Sequence, residues 1–233
     1  MTAPLCTYGN VLGSTSSVGG AMSVYNPAVT GELGVIIVMR RVSAFQAQTF
    51  TASLWTQVSG AAINNGDNLL CADAFYSTTH NGGTVNLNSS YGTSSNWVAF
   101  SGVFTGFNPT TPIIAGGGNG AASNASGSSG NNINPGVVDD YTWLDFCATT
   151  YGGLSFSFGF PGNMPDNRAY TYANSPNSSS SCEIGIAMKS SNASSFTSWG
   201  WSFSNNSKYL NRIFAIQPAA AVKARSQLIS LWG

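Results

Sequence analysis

Eight Lys and Arg, eight Asp and Glu, one His and four Cys are the ionisable side chains of this 233-residue chain, tyrosines aside. Any Ser-His-Asp mechanism would have to use His80. It sits in the turn sequence THNGG, and no G-x-S-x-G elbow occurs. A glycosidase pair would be drawn from Asp139, Asp140, Asp145 and Glu183. Asp139 and Asp145 share a strand face, but lie about 20 Å apart at roughly 3.3 Å per residue. The expectation is therefore solvated acids at an exposed strand start. Asn64, Asn65, Asp67 and Asn68 offer oxygens to calcium without the D-x-D-x-D-G spacing, and read as a polar turn. Cys6, Cys71, Cys147 and Cys182 form no C-x-x-C pair, which excludes the common zinc spacing. They read as free, partly buried thiols ahead of a disulfide pair. The glycines after Ala115 lack G-K-[ST] and open no helix, so no phosphate loop is expected. No metal, cofactor or enzymatic activity is expected from this inventory.

Two sets of residues invite a binding role instead. Trp199 and Trp201 share a face if 196–203 is a strand, as do Tyr170 and Tyr172 in 169–173. With nearby asparagines and Trp143 they would make a sugar-stacking platform, or else a half-buried core. Arg40 and Arg41 are rare charges inside a strand and point to opposite faces. At least one of them is expected to enter an assembly contact, or else to pair with Glu32 or an Asp.

Only 7% of residues are charged, with net charge zero, whereas an average soluble domain has roughly 25%. Solubility must come from Ser, Thr, Asn and Gly. A nucleic-acid partner is not expected, because only Arg40-Arg41 are adjacent and phosphate binding needs clustered cations. The first 31 residues carry no charge, so the basic region of a secretory signal is missing. The run Val35–Met39 is too short to cross a bilayer, and no membrane partner is expected. A neutral surface gives little repulsion between copies, which suits a protein that packs against its own kind.

These side chains must be positioned by strands. The stretches 35–39, 49–55, 69–76, 84–91, 96–104, 137–150, 153–160, 169–173, 181–190, 196–203 and 209–216 are apolar or alternate with period two. Gly31 and Gly34 read as turn residues ahead of the first. Turn clusters rich in Gly, Asn, Ser and Pro separate the runs. The fold class expected is all-β, an antiparallel β-sandwich or jelly roll, with a short C-terminal helix. Residues 1–30 read as an N-terminal arm that could supply an edge strand. Residues 31–217 read as a single sandwich interrupted by a long Gly/Ser/Asn loop, 115–135, with no charge, no aromatic residue and only Ile133 as a sizeable apolar group.

Val85 laid on Thr197 puts Leu87 on Trp199, Tyr91 on Phe203 and Trp97 on Tyr209 without a gap. This reads as an internal repeat or as a chance likeness of alternating strands; with a repeat, 115–135 is a crossover within one sandwich and not a linker between two domains. Residues 218–233 form a tail of good helix formers ending in Leu228, Leu231 and Trp232. The tail docks onto its own body or inserts into a neighbouring subunit.

The order of GELGVIIVMRR (31–41), SLWTQV (53–58), GDNLLCADAFY (66–76), NWVAFSGVF (96–104) and IFAIQP (213–218) resembles β-sandwich domains of tailed-bacteriophage virion proteins. The resemblance covers about residues 31–218. It departs at Gly31-Glu32-Leu33-Gly34, where the family has Gly-Asp-Leu, and at SFGFPG, which lacks the family's Trp. It implies a non-enzymatic structural protein of the virion, a capsid decoration, fibre or tail appendage assembled in the host cytoplasm. The partners implied are its own copies and other virion proteins. A glycan- or receptor-binding module is the alternative.

Overall fold

The computed structural model describes residues 2–14, 21–41, 50–66, 69–90, 96–150, 157–173 and 182–220, with backbone alone at Ser14, at Asn124 and over 167–173. All its regular elements are strands and all its ladders are antiparallel. The fold is an all-β sandwich. The expected C-terminal helix falls beyond Ala220, outside the described residues.

The first half of the chain supplies β1 (Leu5–Ser14), β2 (Ala21–Tyr25), β3 (Leu33–Arg41), β4 (Phe50–Ala52), β5 (Thr56–Gln57), β6 (Ile63–Asn64), β7 (Leu70–Ser77), β8 (Thr84–Ser89) and β9 (Trp97–Thr105). They form one sheet in the order β1-β9-β3-β7-β5, with β6 also on β7, and a smaller sheet β2-β8-β4. The second half supplies β10 (Ile113–Gly127), β11 (Asn132–Ile133), β12 (Asp139–Thr149), β13 (Phe158–Gly159), β14 (Asn167–Ala173), β15 (Cys182–Ala193), β16 (Phe196–Thr197) and β17 (Ser202–Ile216). Its sheets run β10-β17-β12-β15-β14, with β13 on β17, and β11-β16. The order is the same in both halves: the first strand pairs the last, which pairs the second long strand. Each half has jelly-roll connectivity.

The register carries the repeat down to single residues. Trp97 lies between Ser14 of β1 and Arg40 of β3, and Tyr209 lies between Ala121 of β10 and Thr149 of β12. Val85 faces Val24 across the small sheet as Thr197 faces Asn132.

The burial pattern follows from this layering. β3 is buried along both faces, because Val35, Ile37 and Met39 enter a central core while Ile36 and Val38 enter an outer one. Leu144, Phe146 and Ala148 of β12, with Ile184 and Ile186 of β15, meet Val35, Ile37, Ala72, Ala74 and Phe100 in the central core. The small sheet β2-β8-β4 covers the outer face of the first large sheet through Met22, Val24, Phe50, Val85 and Leu87. Ile133 and Phe196 pack with Trp143, Trp201 and Ile213 on the outer face of the second. Each half thus presents the same face to the other: β9 packs on β15 and β17 on β7. A two-fold dimer would use such reciprocal contacts.

Equivalent ends of the halves coincide. Phe107 bridges Pro218, and the Asn108 N–H donates to Gln217 O at 2.8 Å, just past the ends of β9 and β17. At the opposite end the Arg41 guanidinium donates to Thr150 O at 2.9 Å, just past β3 and β12. The loops before β3 and β12 therefore lie at one pole, called here the upper pole.

Several expectations are corrected. The stretch 115–135 is not a long loop: its first thirteen residues complete β10, which pairs along β17. Small residues are required there by close approach. A Cβ on Gly116 would sit 2.6 Å from Ile133 Cβ, and one on Gly118 would sit 2.7 Å from Arg212 Nε. The connection between halves is instead 106–112, carrying the Asn108-Pro109 and Thr111-Pro112 breaks. The N-terminal arm is two paired strands, β1 at a sheet edge and β2 in the small sheet. Gly34 is inside β3, where a Cβ would sit 2.6 Å from the Trp55 ring. The expected strand 49–55 stops at Ala52 in a turn. The expected strand 196–203 is split, with 198–201 irregular between β16 and β17. Of 153–160, residues 153–156 lie outside the described residues, and only Phe158–Gly159 form a strand.

Candidate functional site

The upper pole gathers the loops that precede β3 and β12, the turn between β4 and β5, and the turn between β7 and β8. Asn26 anchors the first of these: its N–H donates to Gly83 O at 2.8 Å and its Oδ1 accepts from Ala28 N at 3.0 Å. His80 Nε2 lies 3.0 Å from Asn26 O, and its ring meets Trp55 edge-on at 5.2 Å between centroids. These bonds make a rigid platform out of turn residues.

On this platform stands Leu54, 94% exposed and at φ 65°. A branched, apolar residue in the left-handed region is uncommon and costs of order 1 kcal/mol. Clefts of about 210 and 330 Å³ flank it, both lined by Leu54, Trp55 and His80. Leu5, Tyr25, Val29, Val137 and Val138 are also more than half exposed and lie at the same pole. Val29 and Val137 sit in equivalent loops of the two halves. Glu32, Asp139, Asp140 and Asp166 give the pole an acidic character alongside Lys189. Asn192 Nδ2 donates to Asp140 at 2.9 Å and holds its carboxyl below the usual range.

Arg40, Arg41 and Trp201 lie away from this pole. Arg40 is fully buried inside the fold, on the β3 face that carries Ile36 and Val38, so the assembly contact expected of it is corrected. Arg41 is half-buried and spent on Thr150. Trp201 is 2% exposed, packed against Phe158 and Phe160, while Trp199 is 65% exposed. The irregular backbone at 198–201 breaks the alternation that would have put both on one face, so Trp201 is not part of a stacking surface. Tyr170 and Tyr172 belong to β14 in backbone, and their side chains lie outside the described residues. Leu228, Leu231 and Trp232 lie outside them too, as does Asp67.

Asp145 is not a solvated acid. It is fully buried, and burial raises its carboxyl to about 7 despite Ser198, Asn131 and Trp201 pulling it down. Burial likewise raises Glu183 to about 8. Asp73 is raised to about 6 by burial, although Ala74 N–H, the Gln57 amide and Arg212 favour its charged form. Arg212 reaches toward Asp73 from the other half and is itself lowered by burial. Asp73, Asp145 and Glu183 are dispersed over three strands. Among the described residues no group of three His, Cys, Asp or Glu could hold a metal ion. The four cysteines are free thiols, and burial pushes Cys182 up to about 12.

The sequence carried one signal for the pole: Trp55 and His80 stand out in turn-rich stretches. Nothing in it showed that Leu54 would be left-handed or that the loops of both halves converge. Comparison with protein-family models, curated proteins and solved structures finds no match to this chain.

Proposed function

We propose that this protein is a non-enzymatic structural subunit of a bacteriophage virion, of the decoration, fibre or tail-appendage kind, assembling with copies of itself through the upper pole. The observation that carries the assembly reading is a chemical match within the chain. The pole is acidic and studded with exposed apolar side chains. The stretch 221–233, AVKARSQLISLWG, is basic and apolar, with Lys223 and Arg225 ahead of Leu228, Ile229, Leu231 and Trp232. The chain reaches Ala220 at this pole, where Ala219 N–H donates to Gly106 O at 2.8 Å. A tail that docks on a neighbour's pole buries both apolar sets and pairs the charges.

The rest of the surface favours close packing. Among the described residues, the ionisable groups of Arg40, Asp73, Asp145 and Glu183 are inside the fold. The exterior is thus poorer in charge than the composition suggests, and copies repel one another little. The motif resemblance to tailed-phage sandwich domains supplies the virion context.

Light scattering coupled to size-exclusion chromatography tests the reading. The full-length protein is expected to form a closed oligomer, and a chain ending at Ala220 is expected to be monomeric. Paired Val137→Asp and Val138→Asp substitutions should also release monomers without loss of fold. A full-length monomer at its highest soluble concentration refutes the proposal, as does an oligomer untouched by either change.

A further inference from the structure

Away from the pole, at the edge of the second half, we infer a binding site for a neutral carbohydrate. A cleft of about 290 Å³ opens between β10 and the β11-β16 pair, lined by Asn119, Asn131, Asn132 and Thr197 with bare glycine backbone between them. That volume is at the small end of ligand pockets, about 300–1,000 Å³, and suits a mono- or disaccharide. Among the described residues its lining has no ionisable side chain. Amides and hydroxyls both donate and accept, which is what sugar hydroxyls require, whereas an anion would call for Arg or Lys.

The cleft is built. Asn131 is 1% exposed, and its Oδ1 accepts from Asn119 Nδ2 at 2.8 Å. Its own Nδ2 donates to buried Asp145 Oδ1 at 3.4 Å. Its backbone exchanges bonds with Ser198, N–H to Oγ at 3.2 Å and O from Ser198 N at 2.9 Å. The amide orientation is therefore dictated from behind by the core.

An exposed tryptophan, Trp199, follows two residues after the cleft's Thr197. Asn132 pairs with Thr197, and the bond from Ser198 to Asn131 continues that ladder. One step further along it, Gly130 faces Trp199. Trp199 projects on the solvent side, as Thr197 does, while Ser198 turns inward. The Trp199 N–H donates to Asn163 Oδ1 at 2.9 Å, and Asn163 Nδ2 donates to Thr197 O at 2.8 Å. Gly162 leaves room for the indole, which would lie 3.3 Å from a Cβ there. A tryptophan 65% exposed on a pinned segment is preorganised for the apolar face of a pyranose ring. The adjoining amides then take the ring hydroxyls. The cleft shares no lining residue with the clefts beside Leu54.

The test is an array of neutral and charged oligosaccharides probed with labelled full-length protein, followed by tryptophan-fluorescence titration of the best neutral glycan. The wild type should bind neutral glycans. Trp199→Ala should weaken binding at least tenfold and Asn132→Ala several-fold, with unchanged circular dichroism. Leu54→Ala, at the pole, should bind as the wild type does. Absence of neutral-glycan binding, or affinity undiminished in Trp199→Ala, overturns the inference. Retention of charged glycans alone overturns the ligand class.

Discussion

Replacing Asp145 with asparagine should make the protein less sensitive to alkaline pH. Asp145 is fully buried on β12, and its carboxyl titrates in the fold at about 7 against an ordinary 3.8. The folded state therefore holds a proton that the unfolded chain has released between those values. Stability from this group is complete below the ordinary value and is lost as pH rises through about 7. Each unit of pH in that window is about 1.4 kcal/mol. Between pH 5 and pH 8 Asp145 withdraws about 3 kcal/mol, since roughly one unit of the window has elapsed at pH 5 and all of it at pH 8. Asparagine keeps the shape and an oxygen for Asn131 Nδ2, and carries no proton to lose. The wild type and Asp145→Asn should therefore diverge by about 3 kcal/mol over this range, or about 6–12 °C in Tm for a chain of this size. Asp73 and Glu183 tilt both proteins the same way and cancel in the difference. Urea unfolding at both pH values measures it. Parallel stability–pH curves for the two proteins would refute the argument, because they would mean Asp145 is solvated or ionised in the fold.

Leu54→Gly should leave the fold unchanged or stabilise it by up to about 1 kcal/mol, since it relieves the left-handed strain at φ 65° and forfeits little burial; thermal melting measures this. Gly118→Val should destabilise by about 2–3 kcal/mol through overpacking against Arg212 and Ile63, detectable as a lower urea midpoint. A neutral alkylating reagent at pH 7.5 should leave Cys147 and Cys182 unlabelled in the native protein and label them in urea, as intact-mass analysis would show. Both are fully buried, and burial holds each thiol well above its ordinary range.

Much of the scaffold is legible in the chain because side-chain alternation is a local property. β3, β7, β8, β9, β12 and β15 fall where apolar or alternating runs predict them. The offset that lays Trp97 on Tyr209 also describes the real register, since both halves must fill equivalent layers. The candidate site was far less legible. His80 could be named from its type, but its pairing with Trp55 depends on turns meeting across the small sheet. Trp199 and Trp201 were expected to act together, and an irregular segment separates one into solvent and the other into core.

The run after Ala115 marks the boundary between the two kinds of knowledge. Its glycines and serines carry no period and little strand propensity, so by themselves they read as loop. They form β10 because β17 offers an unpaired edge, and because Ile133, Ile213, Ile63 and Arg212 leave room only for small residues. Local pattern suffices for an all-β chain, its principal strands, its repeated pattern and a low overall charge content. Which charges are buried, which tryptophan faces water, and the meeting of equivalent loops of both halves at one pole come from packing. Those outcomes depend on contacts between residues far apart in the chain, where no local periodicity reaches.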